Sequence, residues 1–258
     1  MINKDKIIFP NDDDEIKLVI SKACDLYTKA ERSTKAFYTK FLSPLEASVI
    51  MGRFPKNELG LKLFGGYDEA ERQMCSFYTY EDDIDFPIAA LRLKIKRKTA
   101  KLSHRDYLGS LLSMGIKREV IGDIVVVDEG ATVFCLEEIA DYIADNLPKI
   151  GGAGVDIERI ASLEEISIER QFQKLSSTVS SLRGDAIVAS ALNLARSKAS
   201  ELIERGLVTL NYEQLKSTSA QIKSGDVLSA RGYGKFKIVT DGHLTKKGRI
   251  HIDIYKYV

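Results

Sequence analysis

Apolar and polar positions follow two different rhythms along this chain. Between Asp14 and Glu31 the residues Ile16, Leu18, Val19, Ala23, Leu26, Tyr27 and Ala30 recur near a 3.6-residue period behind an acidic start, which predicts a helix. Ser43-Pro44 has the form of a cap followed by proline in the first turn, and predicts a second helix from Leu45 to Met51 that Pro55 does not let continue. Phe64-Gly65-Gly66-Tyr67 reads as a turn before a short charged helix, Asp68 to Arg72. From Phe86 to Lys96 the period falls to two, the pattern of a strand with one wet, positive face. Ser103 caps a helix running to about Met114 and closed by Gly115. Ile124 to Val127 and Ala131 to Cys135, joined by Asp128-Glu129-Gly130, predict a hairpin. A helix from Leu136 to Leu147 stops at Pro148, Gly151-Gly152-Ala153-Gly154 reads as a turn, and Val155 to Ile160 supplies a last strand. The resulting β-α-β-β-α-β order is the ferredoxin-like arrangement, which RNA-recognition sheets also use.

A polar stretch, Glu164 to Ser181, follows as linker or edge strand. Then come a helix from Asp185 to Leu192, a break at Asn193-Leu194, and a helix from Arg196 to Arg205 with Gly206 suited to a left-handed cap. Short strands are predicted at Leu207 to Leu210, Val227 to Ala230, Phe236 to Val239 and Ile250 to Tyr255. The turns between them carry Ser224-Gly225-Asp226, Gly232-Tyr233-Gly234 and Asp241-Gly242. At roughly 150 residues per domain, the chain has room for two domains or three small ones.

Composition narrows the classes. The 258 residues are 44% hydrophobic and 29% charged, ordinary for a globular chain. The longest aliphatic runs, such as Ile124 to Val127, are far too short to span a bilayer, and the N-terminus has no signal-type apolar region. Cys24, Cys75 and Cys135 are distant and odd in number, which predicts buried thiols in a cytoplasmic protein rather than disulfides or zinc. His243 and His251 lack metal-ligand spacing. No cofactor is expected. The net charge of +1 argues at first against a nucleic-acid binder, but it conceals a split. Arg183 to Val258 holds 13 basic and 7 acidic side chains, a balance of +6, against 25 basic and 30 acidic before it.

The basic end has a local concentration. Arg196, Ser197 and Lys198 fall in the first turn of a predicted helix, where the macrodipole favours acids, so basic residues there need another reason. Together with the exposed backbone N–H groups of the turn they compose a phosphate clamp. Arg183 and Arg205 border it, and Arg231, Lys235 and Lys237 add charge from the strands; the competing reading is ordinary solvated charge. A second basic stretch, with Arg92, Lys94, Lys96, Arg97, Lys98, Lys101 and Arg105 and no acid among them, offers a further RNA surface together with His104 and Arg118. A solvated strand face and loop is its alternative.

Arg183-Gly184-Asp185, Arg196-Ser197-Lys198-Ala199, Ile203-Glu204-Arg205-Gly206-Leu207-Val208 and Gly225-Asp226 together resemble the S4-type RNA-binding domain. Gly184 stands where that pattern usually has leucine, and Tyr212 follows Asn211 where glycine is common. Phe64-Gly65-Gly66-Tyr67, Ala70-Glu71-Arg72, His104-Arg105-Asp106-Tyr107-Leu108-Gly109, Arg118 and Ile121-Gly122-Asp123-Ile124 extend the likeness to the YlmH-like bacterial RNA-binding proteins over nearly the whole chain. The resemblance implies an α+β protein of three parts. They are a mostly helical or mixed N-terminal domain (1–76), an RRM-like βαββαβ domain (77–164) and, after a linker or edge strand (165–182), an S4-type domain (183–258). It implies binding of structured rRNA or tRNA on the large ribosomal subunit by a factor that is monomeric when free. By analogy with small S4-type heat-shock relatives, it implies rescue or quality control of stalled peptidyl-tRNA complexes. The alternatives are an RNA-modifying enzyme with an S4-type targeting domain and a cell-division interaction protein.

Enzyme signatures are missing from the sequence. His104-Arg105-Asp106 is superficially like a kinase catalytic loop, but Leu111 stands where the asparagine belongs and no glycine-rich loop precedes it. Synthetase signatures and a methyltransferase cofactor loop are absent, and Asp106 and Asp185 are better explained as helix starts than as pseudouridine-synthase acids. A non-catalytic binder is the expectation.

Overall fold

The computed structural model describes residues 7–9, 12–55, 58–96, 102–166, 168, 172–245 and 248–257. The first apolar rhythm forms α1 (Asp14–Glu31), opened by the Asp13 carboxylate, which accepts a hydrogen bond from the Ile16 N–H at 2.7 Å. A short strand β1 (Phe37–Tyr38) precedes α2 (Pro44–Arg53). There Ser43 and Glu46 form a reciprocal capping box and Phe54 ends the helix just before Pro55. Two further strands, β2 (Gly60–Phe64) and β3 (Met74–Tyr78), build an antiparallel sheet in the order β1-β3-β2. Ile20, Tyr27, Ile50, Phe54 and Phe77 make the core between this sheet and the two helices. The division expected at 76–77 falls within β3, whose Met74 belongs to the next core along the chain while Cys75 and Phe77 belong to this one.

The central part runs β4 (Ile88–Ile95), α3 (His104–Ser113), β5 (Ile121–Val127), β6 (Gly130–Leu136), α4 (Glu137–Asn146), β7 (Lys149–Ile150) and β8 (Ala153–Arg159). Its antiparallel sheet has the order β5-β6-β4-β8-β7. The β-α-β-β-α-β succession is therefore present, with β7 added through the Gly151-Gly152 hairpin turn. Tyr107 and Leu111 of α3 and Ala140 and Ile143 of α4 share a core with Leu91, Leu93 and Val133. On the side of the sheet carrying Phe134, the Tyr67 ring stacks on the Phe134 ring at 4.9 Å. The turn that delivers Tyr67 needs glycine: Gly66 has φ +99° and a Cβ there would lie 2.4 Å from Phe134.

The charged helix expected at 68–72 does not form. Asp123 on β5 accepts hydrogen bonds from Tyr67 Oη (2.7 Å), Glu71 N (2.7 Å) and Arg72 N (3.0 Å), and these hold the segment as a turn. The Arg72 guanidinium reaches the Phe41 and Ile121 carbonyls rather than solvent. A carboxylate about fifty residues away captured N–H groups that a helix would have used internally.

Residues 1–168 and 169–258 are two compact units. The second unit opens with β9 (Phe172–Val179), then α5 (Gly184–Leu192), α6 (Arg196–Glu204), β10 (Val208–Leu210), β11 (Glu213–Gln214), β12 (Val227–Ala230), β13 (Gly234–Val239) and β14 (Ile250–Tyr257). Its antiparallel sheet has the order β11-β10-β12-β13-β14-β9, so β9 is an edge strand, paired with β14 over eight residues. One face of this sheet is covered by α5 and α6, with Ile187, Val188, Leu202 and Ile203 against Leu228, Phe236, Ile238 and Ile254. Gly206 (φ +69°) closes α6 in the left-handed region, as read from the sequence, and Asn193, read only as a break, closes α5 in the same region (φ 52°). Gly184 opens α5 under close packing. Its N–H donates to the Ala220 carbonyl at 2.8 Å, and a Cβ would approach the Leu215 side chain to 3.2 Å, so the 215–220 loop packs tightly over it.

The three cysteines are free and buried, the role read for them from the sequence. Burial pushes the thiols of Cys75 and Cys135 up to about 12. Among the described residues, no helix is long and apolar enough to cross a membrane.

Candidate nucleic-acid interface

The first turn of α6 is capped by Ala195, which has no side-chain acceptor, so its leading N–H groups keep their affinity for anions. Arg196, Ser197 and Lys198 are all exposed there. Arg196 is fixed in place: its Nη2 donates to Asp185 Oδ1 at 3.0 Å. Arg183 donates to the same carboxylate from Nε (3.2 Å) and Nη2 (3.3 Å), and the Ala186 N–H donates at 2.9 Å. Asp185 is 6% exposed, yet its two arginine partners keep 37% and 50% of their side-chain surface in water. One buried acid thus orients two guanidiniums while leaving N–H groups of each open to a ligand. Burial raises the Asp185 pKa, but hydrogen bonds from Arg196 and Arg183 outweigh it and the net shift is downward.

That shift fixes a pH window. A depressed carboxylate pKa contributes stability that is full above the unfolded value of 3.8 and is lost as pH falls through the folded value. Asp185→Asn removes the charge but keeps the shape. It should cost roughly 1–2 kcal/mol at pH 7, the arginines being partly screened by water. The difference from the parent protein should shrink as pH falls below 3.8, and urea denaturation at neutral and acid pH measures it.

Lys198 and Arg205 belong to a second pairing. Glu201 accepts from Lys198 Nζ at 2.8 Å and from Arg205 Nη1 at 3.2 Å; both cations are exposed and Glu201 is half-buried. Such contacts are weak in water and yield readily to a phosphate. Arg231 is exposed in the turn after β12.

Lys235 and Lys237 do not join the α6 clamp. Phe236 and Ile238 point into the core beneath the helices, so period-two alternation turns both lysines to the opposite face of the sheet. There the Lys235 ammonium lies 4.7 Å from the Tyr212 ring centre and 5.0 Å from that of Tyr257. The sequence reading missed these aromatics, although Tyr255 and Tyr257 repeat the same period of two beside a basic strand.

In the central sheet Arg92, Lys94 and Lys96 project together and are exposed, as their alternation predicts. They face an acidic ladder that alternates equally on β8: Glu158 lies 3.9 Å from Arg92 and 3.4 Å from Lys94, and Asp156 lies 2.8 Å from Lys96. That part of the basic stretch is largely neutralised across strands. Arg97, Lys98 and Lys101 lie outside the described residues. Ser103 and Asp106 start α3 as expected, with Ser103 N and Oγ both donating to Asp106 Oδ2 at 2.7 Å, and Arg105 is exposed beside them. Arg118 does not project. Its Nη1 donates to the Ile121 (2.6 Å) and Gly122 (3.1 Å) carbonyls, and burial, reinforced by Arg72, pushes its pKa down to about 10. Desolvation and the nearby Arg118 also hold His104 below the usual imidazole range.

Residues 82–165, the central sheet and its helices, match the family model described as the putative RNA-binding domain in YlmH. Over 215 residues the chain is 33% identical to the ribosome-associated protein quality control protein P2 of Bacillus subtilis (strain 168), covering 82% of this chain and 83% of that protein. The chain belongs to the YlmH family. A solved structure titled cell division protein ylmH from Streptococcus pneumoniae shares the fold, with a TM-score of 0.50 at 24% identity, over 62% of this chain and 99% of that one. For a YlmH-family chain, the matched RNA-binding segment contains both the β4 basic stripe and the α3 start, and the α5–α6 clamp lies beyond it.

Proposed function

We propose that this protein is a non-catalytic, cytoplasmic RNA-binding factor of the ribosome. In this reading residues 183–258 form an S4-type domain that grips structured rRNA or tRNA on the large subunit. The 77–164 region is an RRM-like module, and the task is rescue or quality control of stalled peptidyl-tRNA complexes. The observation that carries the reading is the Asp185-anchored pair Arg183 and Arg196 beside the uncapped first turn of α6. Guanidiniums held by a buried acid are preorganised, so little side-chain entropy is lost when they meet a phosphate. The relative named for ribosome-associated quality control directs the proposal to the ribosome.

Co-sedimentation with purified large subunits tests it. If Arg183, Arg196, Lys198 and Arg205 each neutralise one phosphate, log K should fall against log salt with a slope of about −3. Association that ignores salt, or no association at 50 mM salt, overturns the reading.

A further inference from the structure

The sheet of the C-terminal unit has a second face, and its composition is unlike that of an ordinary wet surface. Three neighbouring strands, β13, β14 and β9, set Lys237 opposite Tyr255 and Tyr255 opposite Lys174. One step along, Tyr257 lies opposite Phe172, with the Lys235 ammonium over its ring. Phe172 meets both tyrosines edge-on, at 6.0 Å and 5.0 Å, and Lys174 lies 5.6 Å from the Tyr255 ring centre. The aromatic side chains are half-buried rather than covered. On the same strand, the Asp253 carboxylate is held by Lys174 at 2.9 Å and by Ser176 at 2.6 Å.

Tyr212 adds a conformational argument. Asn211 (φ 48°) and Tyr212 (φ 71°) are the two central residues of the β10–β11 hairpin turn. That turn type favours glycine at its second position, and a bulky residue there is strained. The ring is nevertheless held over the platform, its hydroxyl accepting from Lys235 Nζ at 3.0 Å. Strain retained where glycine would serve points to a use for the side chain.

We propose that this face is a stacking platform for unpaired RNA nucleotides, separate from the α6 clamp. It rests on the reading that the protein binds RNA, and specifies which RNA chemistry this face takes. Rings two residues apart on one strand stand about 6.8 Å apart, a spacing that lets successive splayed bases each find a ring. A stacking base outweighs an exposed cation–π contact, so it displaces the ammonium from the ring and leaves it beside the phosphate of the same nucleotide.

The chain has 11 tyrosines and no tryptophan, so tyrosine dominates its intrinsic emission, Tyr212, Tyr255 and Tyr257 included. Titration with a ten-nucleotide single-stranded oligouridylate should quench that emission, and a duplex of the same length should do so less. Tyr257→Leu, and Tyr212→Gly at a position glycine favours, should each raise the dissociation constant by about fivefold or more, with circular dichroism and Tm showing an intact fold. Equal affinity of both folded variants and the parent for oligouridylate overturns the platform. So does absence of oligouridylate binding by a parent protein that still co-sediments with large subunits, an outcome that leaves the ribosomal reading standing. Loss of both kinds of binding overturns both.

Discussion

Replacing Arg196 and Lys198 together by glutamate should lower affinity for the large ribosomal subunit by about a hundredfold at 0.1 M salt. Each reversal removes a cation from the first turn of α6 and places an acid at the same point, and about 1.4 kcal/mol per site is a tenfold change. Arg196 also serves Asp185, at 3.0 Å, so Arg196→Glu sets two carboxylates together and strains the helix pair. The neutral pair Arg196→Gln and Lys198→Gln avoids that. It should keep the fold, weaken binding by roughly tenfold, and make the salt slope shallower by about 1.5, since two phosphates are no longer neutralised. A slope that does not change in the folded Gln pair means these side chains touch no phosphate, whatever the affinity does.

The helices were legible because their signals are local. Ser43 with Glu46, Ser103 with Asp106, Asn193 and Gly206 each act within a few residues of the boundary they set. Strand alternation was equally local, and it placed Arg92, Lys94 and Lys96 on one exposed face. What sits across from a strand is not local. The acids of β8 that neutralise that stripe lie some sixty residues further on, and only the sheet order makes them neighbours. The same limit affected the clamp. Arg196 was recognisable from its place at a helix start, but Asp185, eleven positions earlier, read as a helix start and not as the acid that aims two arginines. Lys235 and Lys237 were grouped with the clamp by charge alone, although Phe236 between them already determined which way they point. For the left-handed backbone of Tyr212 the one sequence signal was indirect, its place where the S4-type pattern commonly has glycine.

Asp123→Ala should destabilise the 1–168 unit by about 3 kcal/mol, the largest stability effect expected of a single polar substitution here. The carboxylate accepts from Tyr67 Oη, Glu71 N and Arg72 N, and alanine leaves all three donors without it, at about 1 kcal/mol or more each. It also removes the anion that favours the charged state of two desolvated arginines. Burial and mutual proximity push Arg118 down, and Asp123 opposes this; Arg72 is likewise lowered by burial and raised by Glu46 and Asp123. The loss spreads beyond one hydrogen bond because Arg72 ties Phe41 and Ile121 together through their carbonyls. The turn at 64–72, once loosened, releases Tyr67 from its stack on Phe134 and so opens the covered side of the central sheet. Denaturant titration should show the midpoint falling, with the slope m also changing if the turn detaches before the sheet melts. Asp123→Asn separates geometry from charge: its amide oxygen accepts while its NH2 faces donors, so it should recover less than half of the loss. Full recovery by asparagine would mean that the arginines do not depend on the charge. The α5–α6 clamp belongs to the other compact unit, so a folded Asp123 variant that still binds large subunits with parental salt dependence would assign Asp123 to stability alone.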